Sequence, residues 1–120
     1  MATIHLTSGQ FIARVGDYRS NPGQFDFLGD KPAVIDFYAS WCGPCQTLSP
    51  VLDELSEKYA GKIDIYKVDV DKEQELSSIF GIRSVPTLIF IPAQGAPQKT
   101  PGALSKPQLV KIIDEYLLKK

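Results

Sequence analysis

Cysteine and histidine are scarce in this 120-residue chain, which has two of the first and one of the second, His5. Two cysteines are too few to staple a chain of this length, so its stability has to come from a packed core. A structural zinc site takes four ligands, and His5 is the only Cys or His left beyond that pair, so ligand count argues against intrachain zinc. Unbalanced charge is missing too: 13 Lys and Arg face 14 Asp and Glu, a formal net charge of −1. That balance suggests neither a nucleic acid nor a membrane as partner. The longest strongly apolar run, Leu88-Ile89-Phe90-Ile91, is far too short to span a bilayer. Residues Met1 to His5 show no basic stretch followed by a long apolar one, which makes cytoplasmic residence the expectation and leaves an exported form open if a leader had been removed. Repeats and low-complexity segments are absent. With 43% apolar residues, the chain can bury one core, and a single domain over 1–120, acting as a monomer, is expected.

What is present alternates strands with helices. Ile4 and Leu6 read as a short strand. Thr7-Ser8-Gly9-Gln10 is a capping box that opens a helix carrying Phe11, Ile12 and Val15. From Arg19 to Lys31, Asn21-Pro22-Gly23 and Gly29-Asp30 mark a surface connection, tacked down by Phe25, Phe27 and Leu28. Residues 33–38 read as a buried strand. A helix is predicted from about Cys42 to Tyr59, with Leu48, Val51, Leu52, Leu55 and Tyr59 on one face, Pro50 kinking it and Gly61 at its stop. Residues 63–69 alternate as a strand. Leu76, Ile79 and Phe80 mark a short helix ending at Gly81, residues 87–91 form a strand, and 92–97 turn into a short strand near 98–100. Ser105-Lys106-Pro107-Gln108 is a second capping box, and Leu109, Ile112, Ile113, Tyr116 and Leu117 stripe the last helix. Early strand–helix alternation implies parallel pairing, and the late tight turn implies an antiparallel pair. The expected fold is α/β, a mixed sheet with helices on both faces.

The chemistry concentrates in Trp41-Cys42-Gly43-Pro44-Cys45. Thiol–disulfide exchange needs a thiolate, because the protonated thiol is a poor nucleophile. Cys42 stands at the predicted helix N-terminus, where free N–H groups and the positive dipole end favour a negative sulfur. Cys45 lies one turn in, where it can attack a mixed disulfide formed by Cys42. Gly43 lets the turn close without a side chain in the way, Pro44 pre-sets a helical φ, and Trp41 shields one flank. Asp36 sits in the apolar run of the preceding strand. Burial there raises its pKa and suits it to pass protons to and from a thiol. Lys67, on the neighbouring strand, either partners Asp36 or snorkels past it. Ser84-Val85-Pro86-Thr87 enters a strand, and these residues alone do not choose between a plain strand start and a cis bond at Val85-Pro86. His5 reads as structural.

These residues together resemble the thioredoxin family over roughly Ile4 to Leu118. The resemblance rests on Trp41-Cys42-Gly43-Pro44-Cys45, Asp36 in Val-Ile-Asp-Phe, Lys67 in Lys-Val-Asp, Pro50, Ile82-Arg83-Ser84-Val85-Pro86-Thr87, and Gly102 in Gly-Ala-Leu-Ser-Lys. It implies the thioredoxin fold and a protein-disulfide reductase that works as an electron carrier. Cys42 would attack the client disulfide, Cys45 would resolve the intermediate, and Asp36, with Lys67 as the lysine near it, would manage the proton on Cys45. The resemblance also implies a cis bond before Pro86. Val85 would pair with a client strand, with Trp41, Gly43, Pro44, Pro86 and Gly102 completing the client contact surface. No bound cofactor is implied beyond the redox-active Cys42–Cys45 disulfide; NADPH and FAD enter only through a partner thioredoxin reductase. Four features depart from the family pattern: Gln46 where a basic residue is common, Tyr38 for Trp, Ser84 for Gly, and a longer connection at 19–31. Three other readings of the cysteine pair stand beside the reductase: a docking subunit with incidental redox chemistry, an oxidant or isomerase outside the cytoplasm, and an interchain iron–sulfur ligand pair.

Overall fold

The first and last helices of this chain begin where a side chain occupies free N–H groups of the first turn. Thr7 and Ser105 each accept from the backbone N–H three residues on, while Gln10 and Gln108 reach back to the cap residue's own N–H, completing both predicted capping boxes. The computed structural model describes residues 3–16 and 31–119. The predicted connection at 19–31, with Phe25, Phe27 and Leu28, lies outside the described residues except for Lys31. In chain order the elements are β1 (Ile4–His5), α1 (Ser8–Arg14), β2 (Ala33–Tyr38), α2 (Gly43–Lys58), β3 (Asp64–Asp69), α3 (Gln74–Ile79), β4 (Thr87–Ile91), β5 (Gln98–Pro101) and α4 (Lys106–Ile112).

The strands form one sheet in the order β1-β3-β2-β4-β5. β1 and β2 both run parallel to β3, β4 lies antiparallel to β2, and β5 antiparallel to β4. The mixed sheet read from the element order is therefore present, with the crossovers supplying its parallel part.

Strand alternation sends each set of side chains to its own layer. Ala33, Ile35 and Phe37 pack with Phe11 of α1, with Val15 that caps it, and with Leu76 of α3. Val34, Ile65, Leu88 and Phe90 pack on the other face with Leu48, Leu52 and Leu55 of α2 and with Leu109, Ile113 and Leu117. Fully burying each such side chain contributes about 1.5–3 kcal/mol. Because β2 is central, its first five residues are all buried, Asp36 included.

The far end of α2 is fastened to the C-terminal segment by Tyr59, whose hydroxyl donates to Asp114 Oδ1 at 2.9 Å. Burial, then this bond, pushes the Tyr59 pKa up to about 12. The last helix differs from the continuous α-helix its stripe suggests. Ile113–Leu117 form a π-helical turn, with the Leu118 N–H bonded to the Ile113 carbonyl. The wider turn keeps Ile113 and Leu117 in the core, and the Tyr116 hydroxyl donates to the Ala96 carbonyl.

The stop of α3 shows why Gly81 is where it is. The Gly81 N–H bonds the Ser78 carbonyl, the Ile82 N–H bonds the Ser77 carbonyl, and Gly81 has φ +67°. That is a left-handed C-terminal cap. A Cβ at Gly81 would also stand 3.2 Å from the Lys99 ammonium. Gly81→Ala is expected to cost about 1–2 kcal/mol, the penalty of a left-handed non-glycine residue, read as a lowered Tm. An unchanged Tm would mean that the cap relaxes at no cost.

Candidate active site

α2 starts with the cysteine that its first turn stabilises. Cys42 is the N-cap, with Gly43 and Pro44 the first two helical residues, and its Sγ accepts from the Cys45 N–H at 3.2 Å. A sulfur in that position serves as the acceptor that Ser or Thr supplies in other helices, and it does so best as an anion. The Cys42 and Cys45 Cα atoms are 5.2 Å apart, and their sulfurs are joined as a disulfide. The loop leading in is held by the Cys42 N–H on the Ala39 carbonyl and by the Gln46 side chain on the Ser40 carbonyl. Gln46, one of the departures from the family pattern, thus ties down the approach to the site.

The pair is nearly covered, with Cys42 4% and Cys45 3% exposed, so a reacting disulfide has to dock closely. Ala39 completes the buried cluster, and Tyr38, Val70 and Val85 pack against it. The Val85 carbonyl oxygen lies 3.6 Å from Cys42 Sγ. The Val85–Pro86 bond is cis, as the resemblance implied, and the Pro86 carbonyl accepts from the Gly102 N–H at 2.8 Å. Gly102 has φ +96°, a conformation open to glycine, which lets its N–H meet that carbonyl.

Trp41 is the one large hydrophobic residue exposed among the described residues, at 69%. Its indole N–H donates to Asp71 Oδ2 at 2.8 Å. It is therefore a surface plate held by that bond. Gly43 differs from expectation. Its φ is ordinary and a Cβ there would meet nothing within 4 Å, so the turn itself does not require glycine.

Asp36 is fully buried, and neither carboxyl oxygen has a hydrogen-bond partner among the described residues. Desolvation raises its pKa to about 6, and the positive charge of Lys67 restrains the rise. The two residues are register partners on adjacent parallel strands, and they share parity with Val34 and Ile65 on the sheet face that α2 covers. The direct pairing weighed from the sequence does not form. The Lys67 ammonium donates instead to Ser49 Oγ at 2.7 Å and lies 4.7 Å from the Tyr38 ring centroid. Ser49, one turn beyond Cys45 on α2, offers that ammonium a hydrogen-bond acceptor, so Lys67 reaches Asp36 through its field alone. Lys67→Gln removes the restraining charge, and the Asp36 titration midpoint should then rise above about 6, as followed by carboxyl NMR against pH. A midpoint that stayed in place or fell would contradict the charge coupling.

Sequence reasoning missed Ser49, Asp71 and the bond between the Tyr38 hydroxyl and His5 Nδ1, 3.3 Å long. Ser49 had a signal, because it lies four residues after Cys45 on a predicted helix. Asp71 lies just beyond β3 and had none. No group of three or more His, Cys, Asp and Glu that could hold a metal occurs among the described residues. No helix among them is long and apolar enough to cross a membrane.

Known proteins are similar to this chain in sequence and in fold. Residues 23–115 match the family model described as Thioredoxin. The thioredoxin of Borreliella burgdorferi is 49% identical over 113 residues, covering 94% of this chain and 96% of the relative. That of Haemophilus influenzae is 44% identical over 88 residues, covering 73% of this chain and 82% of its own length. Among solved structures, chloroplastic thioredoxin z superposes with a TM-score of 0.78 at 27% identity, over 96% of this chain and 94% of that one.

Proposed function

The chain belongs to the thioredoxin family, and from that membership, which makes it a dithiol–disulfide oxidoreductase, we propose that it works in the reducing direction on client proteins. The Cys42 thiolate attacks one sulfur of a client disulfide. A mixed disulfide forms, and the other client sulfur leaves as a thiolate. Cys45 then attacks Cys42 Sγ, which releases the second client thiol and leaves the Cys42–Cys45 disulfide; two electrons have passed to the client. The observation that carries the exchange chemistry is the Cys42 sulfur held as the N-cap acceptor of α2, with its partner cysteine one turn inside.

Asp36 takes the proton from Cys45 as that thiol becomes the attacking group, since a carboxyl titrating near 6 exchanges protons at neutral pH. The charge of Lys67 limits how far burial raises the Asp36 titration. The client lies along Val85 as an added strand, between Trp41 and Gly102, over Gly43, Pro44 and Pro86. A thioredoxin reductase, drawing on NADPH through its flavin, restores the dithiol. The protein does this as a single-domain monomer in the cytoplasm. The Gly-Pro pair between the cysteines resembles that of reducing members of the family, which favours reduction over oxidation or isomerisation. The test is insulin reduction by dithiothreitol: the chain should bring precipitation of the freed insulin chains forward in proportion to its concentration. An unchanged onset would rule out the reductase reading.

A further inference from the structure

We propose that the cleft next to Val85 is a subsite for an acidic side chain of the client, so that the protein favours disulfides with Asp or Glu close in sequence. The inference rests on the reductase reading above. The cleft holds about 440 Å³ and is lined by Gly81, Arg83, Ser84, Thr87, Lys99 and Pro101. Two cations and no acid line it. Lys99 is fixed in place: its ammonium donates to the Phe80 and Gly81 carbonyls at 3.1 and 3.3 Å, which leaves a third N–H for a ligand. Gly81, lacking a Cβ, permits that close approach. Arg83 is exposed and makes no hydrogen bond or ion pair among the described residues, so its five-donor fork is unspent. Thr87 Oγ1 donates to the Ser84 carbonyl, which fixes the loop while the exposed Ser84 hydroxyl stays at the rim.

The position of the cleft ties it to the reactive sulfur. Ser84 precedes Val85, whose carbonyl is 3.6 Å from Cys42 Sγ. Pro101 precedes Gly102, whose N–H is bonded to the Pro86 carbonyl, and Pro101 faces Thr87 across the β4–β5 ladder. With consecutive Cα atoms 3.8 Å apart, the Cα of Ser84, which lines the cleft, lies within about 10 Å of the sulfur. A client strand laid along Val85 presents alternate side chains to the same side, so one close to its cysteine meets Arg83 and Lys99. A carboxylate satisfies the arginine fork and the spare lysine N–H together. Because both cations face solvent, the preference should be modest and salt-sensitive, about fivefold to tenfold at low ionic strength.

The experiment uses short peptides closed by one disulfide, identical except for Glu or Gln placed in turn at each position flanking the attacked cysteine. kcat/KM is measured with dithiothreitol as electron source at low and high salt. Faster reduction of a Glu peptide, collapsing in high salt and abolished or reversed by Arg83→Glu, supports the subsite. Lys58→Glu controls for total charge. It makes the same change at the other end of the 16-residue α2, about 24 Å along the helix axis from Cys42, and should leave the Glu-to-Gln ratio unaltered. Lys99→Gln, which also loosens the end of α3, is the second variant and should weaken the preference. Equal wild-type rates on both peptides, a preference that survives Arg83→Glu, or equal loss in Lys58→Glu would each overturn the proposal. Failure to reduce the Gln peptide at all would instead overturn the reductase reading, and the subsite with it.

Discussion

Cys42→Ser should bring insulin reduction down to the rate of dithiothreitol alone. A serine hydroxyl keeps the cap of α2, because it accepts from the Cys45 N–H as the sulfur does, so the fold survives. It cannot form a bond to a client sulfur, so the chemistry does not begin. Cys45→Ser has a different outcome. The attacking group is retained, the resolving group is lost, and the client stays attached to Cys42. Mass spectrometry of the quenched reaction should show that adduct in Cys45→Ser and none in Cys42→Ser. Adducts on Cys45 in the Cys42→Ser protein would mean that the two roles are reversed. Its place inside the helix, behind the N-cap position that Cys42 holds, argues against that.

Asp36→Asn should raise stability at neutral pH by roughly 3 kcal/mol while slowing the release of client. The carboxyl moves from 3.8 when unfolded to about 6 in the fold, and each pH unit is worth about 1.4 kcal/mol. Below pH 4 both states hold the proton, and the burial of charge costs nothing. Between pH 4 and 6 the unfolded chain gives up its proton while the folded chain keeps it, so stability falls as pH rises. Above pH 6 both states are ionised and the full cost persists. Asparagine resembles the protonated acid at every pH. The gain in Tm should therefore be about 10 °C at pH 7 and close to nothing at pH 4. A gain that did not depend on pH would point to packing in place of charge. A lower Tm would make Asp36 a structural acceptor, which its two unpartnered oxygens contradict. The kinetic half of the prediction is accumulation of mixed disulfide, since the proton on Cys45 loses its receiver.

Much of this site could be read before any coordinates because its parts announce themselves locally. A cysteine before a Gly-Pro pair at the start of a periodic apolar run is a helix cap. An aspartate in an apolar strand is a buried charge, and a capping box needs only four residues. What escaped the sequence depends on contacts across the fold. Lys67 and Asp36 are in register, as their strand positions suggested, but the partner of the lysine was set by Ser49 on a helix above the sheet. The bond that pins Trp41 was not legible either, because Asp71, which accepts from its indole N–H, lies in a loop with no periodic signal. Gly43 read as a steric need of the turn and proved to stand in open space. The π-helical turn at Ile113–Leu117 shares its apolar spacing with an α-helix, so the stripe could not reveal it.

Alkylation of the fully reduced protein by iodoacetamide, followed residue by residue against pH, tests most directly whether the start of α2 holds Cys42 as a thiolate. The rate at Cys42 should reach half its plateau well below the ordinary thiol value of about 8.5, while Cys45 stays largely unmodified. A Cys42 midpoint at or above that value, or Cys45 reacting first, would contradict the account.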